Sequence, residues 1–407
     1  MNILSKSLVL RAILFFEHLA FYLSFPSIAV LALDETHGLL TGSEWMSQRV
    51  LLYGLLVTLY PFLQIFAAPL VGKRLDEHSK KTVLQIIHLG GIIGYLLIAT
   101  AALTQNFLFA VLGLSISSVL GAPLPVVKAL IAIYTDKAER LREFAKIAQV
   151  KSVSSVIGPF LGLWIVNVVP EGWQYVGPLG ISAFLAFGGL VLTNRLIPSS
   201  EGIPSGVSSI TPVLPPLAVL KEQAPLLLAL FCFAGGYCTF LKFIPVVWSG
   251  QFGTELFVFS SFSALVGFSN TLNQMIIGRW LHLSFEWVPF YAKILCGGLL
   301  FLSIFSVTFF SWIGLFLILF CYAFLITSTE VQLSLLGAET TQGRIQGMLY
   351  SIENSSYLVG PAIGALLASV QPAYALYFIF GIAAISLFLV HSASYLNVYS
   401  KNLVTNP

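Results

Sequence analysis

Long apolar runs alternate with short polar stretches along the whole chain, and twelve of these runs contain about 20 residues or more. A helix of that length crosses the roughly 30 Å of hydrocarbon in a bilayer. The runs lack the regular alternation of apolar and polar residues that a transmembrane β-strand shows. The pattern therefore predicts an all-α membrane protein with twelve transmembrane helices, here called spans 1 to 12, near 8–33, 49–71, 83–104, 107–134, 145–168, 174–195, 225–249, 256–280, 288–310, 312–335, 346–369 and 373–396.

One polar stretch is longer than the others and rich in Pro and Ser, and six spans lie on each side of it. Such a composition is typical of a flexible connection. We therefore predict an N-terminal six-helix bundle at 1–196, a cytoplasmic linker at 197–224 and a C-terminal six-helix bundle at 225–407.

The two predicted bundles repeat chemical features at a fixed offset of 202 residues. This offset relates Lys128 to Glu330, Lys151 to Glu353, and Gly158-Pro159 to Gly360-Pro361. The halves are therefore predicted to be pseudo-symmetric copies, in which basic residues of the first occupy the positions of acidic residues in the second. Two related six-helix halves with a substrate site between them are typical of secondary carriers.

Composition and loop charge fix the setting and the orientation. The chain is 57% hydrophobic and 9% charged, whereas a soluble domain carries about 25% charged residues. Basic residues concentrate in alternate loops, with Lys73, Arg74, Lys80 and Lys81 between spans 2 and 3 as the densest group. The positive-inside rule then places both termini in the cytoplasm. We expect a multi-pass protein of a bacterial inner membrane.

Four charged residues lie within spans that are otherwise apolar: Lys128, Lys151, Glu330 and Glu353. A charge near the centre of a bilayer costs roughly 2.5 to 3.5 kcal/mol, so such groups are usually paired and functional. We expect ion pairs between the halves, acting as a gate that weakens when a carboxylate takes up a proton. The alternative is that each lysine pairs within its own half or extends to the cytoplasm.

Span 1 contains a further carboxylate, Glu17, which is a candidate proton-binding group because an unpaired carboxylate inside a span favours its protonated form. Lys242 in span 7 is a candidate for binding an anionic substrate group or for pairing with Glu17. Other candidates for the substrate site are His18, Tyr22, Gln64, Tyr237, Asn270 and Tyr322. Hydrogen bonding between helices is the alternative role for the polar members of this set.

The stretch Gly72-Lys-Arg-Leu-Asp76-Glu-His-Ser-Lys80-Lys81 resembles the signature loop of the major facilitator superfamily. Gly72, Asp76 and the basic pair Lys80-Lys81 match. Glu77, directly after the aspartate, and Ser79, directly before the basic pair, depart from the pattern. The glycine permits close helix approach, and the aspartate can cap a helix N-terminus or bind an arginine. The resemblance implies two helical bundles that alternate access to a central site.

Two local patterns narrow the resemblance. Gly158-Pro159 and Gly360-Pro361, the second preceded by Gln342-Gly-Arg-Ile-Gln346-Gly347, are similar to drug:proton antiporters of the tetracycline-efflux type, and they predict close or bent helix packing. Glu17-His18-Leu-Ala-Phe21-Tyr22 resembles part of the span-1 motif of proton-coupled oligopeptide transporters. That family also has a Lys in span 4 and a Glu in span 10, which Lys128 and Glu330 match, although His18 replaces an Arg.

Together these features predict a proton-coupled secondary transporter of a small organic solute that works by alternating access. No nucleotide-binding loop, cofactor, metal site or nucleic-acid partner is expected, and a monomer is expected. Efflux and uptake both stay open, the latter for a peptide-like, siderophore-like or carboxylate metabolite. A non-transporting sensor or scaffold is a further alternative. A membrane enzyme is disfavoured because the six histidines form no cluster in the sequence.

Overall fold

The computed structural model describes most of the first half of the chain and parts of the second. The described residues are 3–33, 38–40, 46–121, 123–136, 139–170, 172–197, 224, 227–228, 230–239, 256–280, 309–336, 341–370, 378–379, 381–382 and 385. The predicted linker and spans 9 and 12 fall largely outside these residues.

Helices account for nearly all of the described residues, which contain no strand. They are α1 (Ile3–Leu33), α2 (Met46–Glu77), α3 (Lys80–Thr104), α4 (Phe107–Leu120), α5 (Pro123–Tyr134), α6 (Arg140–Val168), α7 (Val176–Leu196), α8 (Leu256–Trp280), α9 (Phe309–Leu336) and α10 (Gln342–Val370). A shorter helical segment runs over Leu230–Thr239. Helices α1 to α7 correspond to spans 1 to 6, and α8, α9 and α10 correspond to spans 8, 10 and 11.

Several helices are suited to a bilayer by length and surface. Five helical segments of the described chain are long and apolar enough to cross a membrane, at Ser7–Phe25, Lys80–Thr104, Phe107–Tyr134, Arg142–Val168 and Val176–Leu196. Leu89, Ile93 and Leu96 form an exposed apolar stripe on α3 at helical spacing. An outward face of this kind is stable against lipid and unfavourable in water, which fits the hydrophobic composition.

Span 4 is not the continuous helix that the sequence pattern predicted. It is divided into α4 and α5, and α4 ends at Gly121, whose N–H donates to the Ser117 carbonyl at 2.8 Å. Proline has no N–H, so Pro125 cannot donate to the carbonyl of Gly121 four residues earlier. Gln64 of α2 supplies the missing donor, because its Nε2 lies 2.8 Å from the Gly121 carbonyl and 2.6 Å from that of Ser118.

Small residues let neighbouring helices approach closely. A Cβ on Gly113 of α4 would lie 2.6 Å from the Gly94 carbonyl of α3. A Cβ on Gly158 of α6 would lie 2.6 Å from Cβ of Tyr22 on α1, and one on Gly360 of α10 would lie 2.6 Å from the Gly235 carbonyl. Gly158 and Gly360 therefore serve the same purpose in the two halves, packing span 5 on span 1 and span 11 on span 7. Pro159 and Pro361 follow them inside α6 and α10.

The two halves meet along two helix pairs that the internal repeat relates to each other. Helix α2 packs against α10, and α6 packs against α8. Under the 202-residue offset, span 2 corresponds to span 8 and span 5 to span 11, so each pair is the symmetry copy of the other. The second half also contacts the first through α5 with α10 and α9 with α6.

Candidate functional site

The structure brings Lys128 and Glu330 together across the boundary between the halves. Lys128 lies on α5 and Glu330 on α9, and Nζ of the lysine donates a hydrogen bond to Oε1 of the glutamate. Each residue is only 8% exposed. Burial of two charges is costly unless they are in direct contact, so breaking this pair is unfavourable for whichever partner is left alone.

The second expected ion pair, between Lys151 and Glu353, is not formed. Within the described part of the chain, Lys151 has neither a hydrogen bond nor an ion pair, although its ammonium lies within electrostatic reach of Tyr22, Glu353 and Glu330. Glu353 instead accepts a hydrogen bond from the Tyr357 hydroxyl, one helical turn further along α10. A tyrosine that the sequence gave no reason to single out therefore takes the place expected for the lysine.

Aromatic candidates from the second half form a connected cluster. The rings of Tyr237 and Tyr322 are stacked, with centroids 3.7 Å apart and planes 13° from parallel. The Asn270 amide donates to the Tyr237 hydroxyl at 3.4 Å, and the hydroxyls of Tyr322 and Tyr357 are 3.0 Å apart. Since Tyr357 also donates to Glu353, this tyrosine cluster connects Asn270 on α8 to a buried carboxylate on α10.

The remaining predicted substrate candidates are placed differently. His18 interacts through Nδ1 with the Leu14 carbonyl at 3.1 Å, and its ring lies 6.3 Å from that of Tyr22. Gln64 supports the break between α4 and α5. Lys242 lies outside the described residues, so its predicted roles stay predictions.

Glu17 is not the unpaired carboxylate that the sequence suggested. Its Oε1 is hydrogen-bonded to Nδ1 of His88 on α3, and Nε2 of His88 lies 2.9 Å from the Thr193 hydroxyl of α7. His88 and Thr193 are fully buried, and Gly189 makes room for the ring, because a Cβ there would lie 2.8 Å from Cε1 of His88. The sequence analysis missed His88; the signal was a lone histidine in an apolar span.

The signature loop reaches the other half at the end of α2. The two carboxylate oxygens of Asp76 accept hydrogen bonds from the Gly343 and Arg344 N–H groups at 2.9 and 3.0 Å, at the start of α10. Arg344 adds an ion pair with Asp76 at 3.6 Å and one with Glu77 at 2.7 Å. Asp76 therefore both caps a helix N-terminus and binds an arginine, which were the two roles expected for it.

Burial raises the pKa of the Asp76 carboxyl to about 6 from its ordinary value of 3.8. The N–H groups of Arg344 and Gly343 and the charge of the Arg344 side chain oppose that shift. The charged form of the carboxyl is thus destabilised more by the loss of hydration than it is stabilised by its hydrogen bonds and by Arg344.

Close backbone contact accompanies this cap. A Cβ on Gly72 would overlap the carbonyl group of Gly343, and one on Gly347 would lie 2.5 Å from the Ala68 carbonyl. Lys80 and Lys81 stay with the first half: Lys80 lies 4.8 Å from the centre of the Tyr134 ring, and Lys81 donates to the Asn194 carbonyl at 2.8 Å.

A further connection between the halves was not predicted. Arg140, at the start of α6, is 2% exposed and donates through Nη1 to the Ser334 carbonyl of α9 at 2.8 Å. Gln342 donates to the same carbonyl at 2.9 Å and accepts from the Ser334 hydroxyl at 2.9 Å. The sequence placed Arg140 in a basic loop, and only the fold shows that it is buried. The contacts of Asp76 and of Arg140 both lie at helix ends next to predicted cytoplasmic loops.

The chain has identifiable relatives. A family model described as Major Facilitator Superfamily matches residues 12–337. The chain is 25% identical over 335 residues to the class E tetracycline resistance protein of Escherichia coli, covering 78% of each protein. Among solved structures, the human organic anion transporter MFSD10 (TETRAN) has a TM-score of 0.76 at 18% identity, over 94% of this chain and 98% of that one. The fucose:proton symporter of E. coli has a TM-score of 0.69 at 15% identity, over 96% and 99%. The predicted all-α transporter fold and the resemblance to tetracycline-efflux proteins are confirmed.

Proposed function

The chain belongs to the Major Facilitator Superfamily of membrane transporters, and on that premise we propose that it is a proton-coupled secondary transporter of a small organic solute. It works by alternating access between two bundles, at 1–196 and 225–407, joined by the linker 197–224. The protein is a monomer in a bacterial inner membrane with both termini in the cytoplasm. The observation that carries this proposal is the buried Lys128–Glu330 pair, which joins the bundles at equivalent positions of the repeat.

The contacts between the bundles act as the cytoplasmic gate. The Lys128–Glu330 pair, the Asp76 cap and the Arg140–Ser334 contact are all made between helices of different halves. They hold the cytoplasmic side closed and separate when the bundles rock about the central site. A buried titratable group carries the coupling proton, and Glu17, Glu330 and Glu353 are the carboxylates that the sequence offers for this role.

The substrate binds between the tyrosine cluster and Lys151. Stacked aromatic rings such as Tyr237 and Tyr322 favour a flat apolar surface, and the Lys151 ammonium, without a direct partner among the described residues, favours a carboxylate. A solute with an aromatic body and an anionic or zwitterionic head fits both features. The names of two relatives, an organic anion transporter and a tetracycline resistance protein, support the same class.

The test is gradient-driven transport by purified protein in proteoliposomes with an imposed pH gradient. The panel contains tetracycline, the aromatic carboxylate 1-naphthoate, 1-naphthylmethylammonium and a dipeptide. Lys128→Ala and Glu330→Gln should each lower the rate of the transported compound at least tenfold, because each leaves a buried charge without its partner. The double charge swap Lys128→Glu with Glu330→Lys should restore part of the rate.

Lys146→Ala is the matched control, since Lys146 pairs with Glu143 on its own helix α6 rather than across the boundary. Its transport rate should stay within about twofold of wild type, because the pair lies within one helix and the Glu143 carboxylate keeps its hydrogen bond from the Ser7 hydroxyl. Wild-type rates in both Lys128→Ala and Glu330→Gln would refute the gate. Uptake or efflux is read from the sidedness of the flux in the same vesicles.

A further inference from the structure

The seam between α1, α3 and α7 holds a polar cluster that takes no part in joining the two halves. The cluster consists of Glu17, His88 and Thr193, which are 7%, 0% and 0% exposed. Each belongs to a different helix, and the histidine uses both ring nitrogens, Nδ1 with Glu17 and Nε2 with Thr193 at 2.9 Å. A buried ionisable group inside a membrane helix is costly, and this one is surrounded by apolar packing of the first half.

The cluster can gain or lose one proton without moving a heavy atom. With Nδ1–H donating to the Glu17 carboxylate, Nε2 either donates to the Thr193 oxygen or accepts from the Thr193 hydroxyl, which turns to suit. The first arrangement pairs an imidazolium with a carboxylate and has no net charge. The second pairs a neutral imidazole with a carboxylate and has a net charge of minus one. The step between them adds one proton to Nε2, and water is its source.

The groups shown beside the cluster are hydroxyls and glycines. Glu17 lies within electrostatic reach of the Tyr60 and Tyr95 hydroxyls, from α2 and α3. A Cβ on Gly91 of α3 would lie 3.7 Å from Oε2 of Glu17, and α7 presents Thr193 and a glycine. These hydroxyls are neutral, and the lysines within electrostatic reach of the neighbouring His18 are Lys151 and Lys128. Uptake of a proton is what neutralises the cluster.

The carboxylates at the gate are placed differently. Glu330 is already in direct contact with the Lys128 ammonium, so its charge is balanced before any proton arrives. Imidazole is the side chain whose charge changes most readily between pH 5 and 8. Tyr60 also lies within electrostatic reach of Tyr350 of α10, so the surroundings of Glu17 extend to the other half.

We propose that Glu17, His88 and Thr193 form the proton-binding site of the transport cycle, and that the gate carboxylate Glu330 is not the proton carrier. This rests on the proposed proton-coupled transport and assigns its proton to His88 held by Glu17. Glu17, the least buried of the three at 7% exposed, is the member through which the proton enters. Thr193 is a positioning residue that accommodates both protonation states of the ring.

The direct test is a pH titration from 5 to 9 of ¹⁵N-histidine-labelled full-length protein in lipid nanodiscs, followed by NMR. The His88→Gln variant assigns the ring signals of His88 by their loss. These signals should respond to pH in wild type, and Glu17→Gln should alter that response because it removes the carboxylate that accepts from Nδ1. His18→Gln is the matched control, because the hydrogen bond that His18 makes within the described residues is to the Leu14 carbonyl of its own helix, and it should leave the His88 curve unchanged.

Proton movement is measured in parallel with the pH dye pyranine inside proteoliposomes, during transport of whichever panel compound is carried. His88→Gln should abolish proton movement while exchange of the compound across the membrane continues. A His88 ring that keeps one protonation state from pH 5 to 9, or a pH response that Glu17→Gln leaves unaltered, overturns the assignment. Normal proton movement in His88→Gln together with its loss in Glu330→Gln would also overturn the assignment. That result would leave the transporter proposal intact. Absence of proton movement in wild type would instead refute proton coupling itself.

Discussion

The charged residues inside the spans were the most informative residues of this sequence, but they predicted the contacts between helices only in part. The repeat paired Lys128 with Glu330 correctly because both lie at matching depth on helices that face each other across the boundary. The same reasoning failed for Lys151 and Glu353, where Tyr357 is one turn from the carboxylate on the same helix and reaches it first. Spacing fixes depth along a helix, whereas the choice of partner depends on rotation and on nearer competitors.

His88 shows the opposite limit. Nothing in its neighbourhood in the sequence indicates a partner, since Glu17 and Thr193 are 71 and 105 residues away. The contact exists because α1, α3 and α7 pack together and small residues such as Gly189 leave space for the ring. A buried histidine could be suspected from its apolar surroundings, but its partners required the fold.

Asp76 gives a prediction for the dependence of the closed gate on cytoplasmic pH. In the closed state burial raises the pKa of its carboxyl to about 6, and in an open state the carboxyl returns to water and to its ordinary value of 3.8. The closed state then binds the proton more tightly. The contribution of Asp76 to closure should be fully present below about pH 4 and should be lost as the pH rises through about 6.

Asp76→Asn removes this titration while keeping a side-chain oxygen that can accept from the start of α10. The measurement is the closed fraction, from spin-label distances across the cytoplasmic side at pH 7.5 and pH 5. Wild type should gain closed fraction on acidification relative to Asp76→Asn, by up to several-fold in the closed-to-open ratio. Identical pH responses in the two proteins would show that the Asp76 carboxyl keeps one charge state in both conformations.

At the scale of elements, the sequence predicted where helices lie but not where a helix is interrupted. The apolar runs predicted spans 1 to 6, and the described helices occupy all of them. The division of span 4 into α4 and α5 was missed because hydropathy is the same on both sides of Gly121. The relevant signals were Pro123 and Pro125, which remove two backbone donors in three residues. The partner that stabilises the break, Gln64, belongs to another helix, so the sequence offered it only as a general polar candidate.

The break gives a stability prediction. Gln64→Leu removes the donor that serves both carbonyls at the break, and it leaves that of Gly121 with only the long hydrogen bond from the Tyr60 hydroxyl, at 3.5 Å, among the described residues. The free energy of unfolding, measured by titration with sodium dodecyl sulfate, should fall by about 1–3 kcal/mol. Gln85→Leu is the control, because Gln85 hydrogen-bonds with Asn194 at an exposed site, and its effect should stay within about 0.5 kcal/mol. Equal effects of the two substitutions would mean that Gln64 does not stabilise the break.

At the scale of the molecule, the internal repeat accounts for how the halves meet. Helix pairs α2–α10 and α6–α8 are copies of one arrangement, and glycines at Gly72, Gly343 and Gly347 bring the first pair into backbone contact. The sequence predicted the two-bundle fold because hydrophobic length and the linker are properties of composition. The sequence did not predict that Arg140 is buried, because its burial depends on the end of α9 lying beside it. The proposed gate is therefore a property of the assembled bundles, and we expect its opening to be a motion of whole halves.

The most direct test of this account is the distance between spin labels on the cytoplasmic side, measured by double electron–electron resonance. The labels replace the exposed residues Thr82 on α3 and Ala224 at the end of the predicted linker, in protein whose four cysteines have been replaced. Wild type should show a dominant short distance, and Glu330→Gln, which breaks the Lys128–Glu330 pair, should shift population to a longer one. A Glu330→Gln distribution that coincides with that of wild type would contradict the proposal that this pair holds the cytoplasmic gate closed.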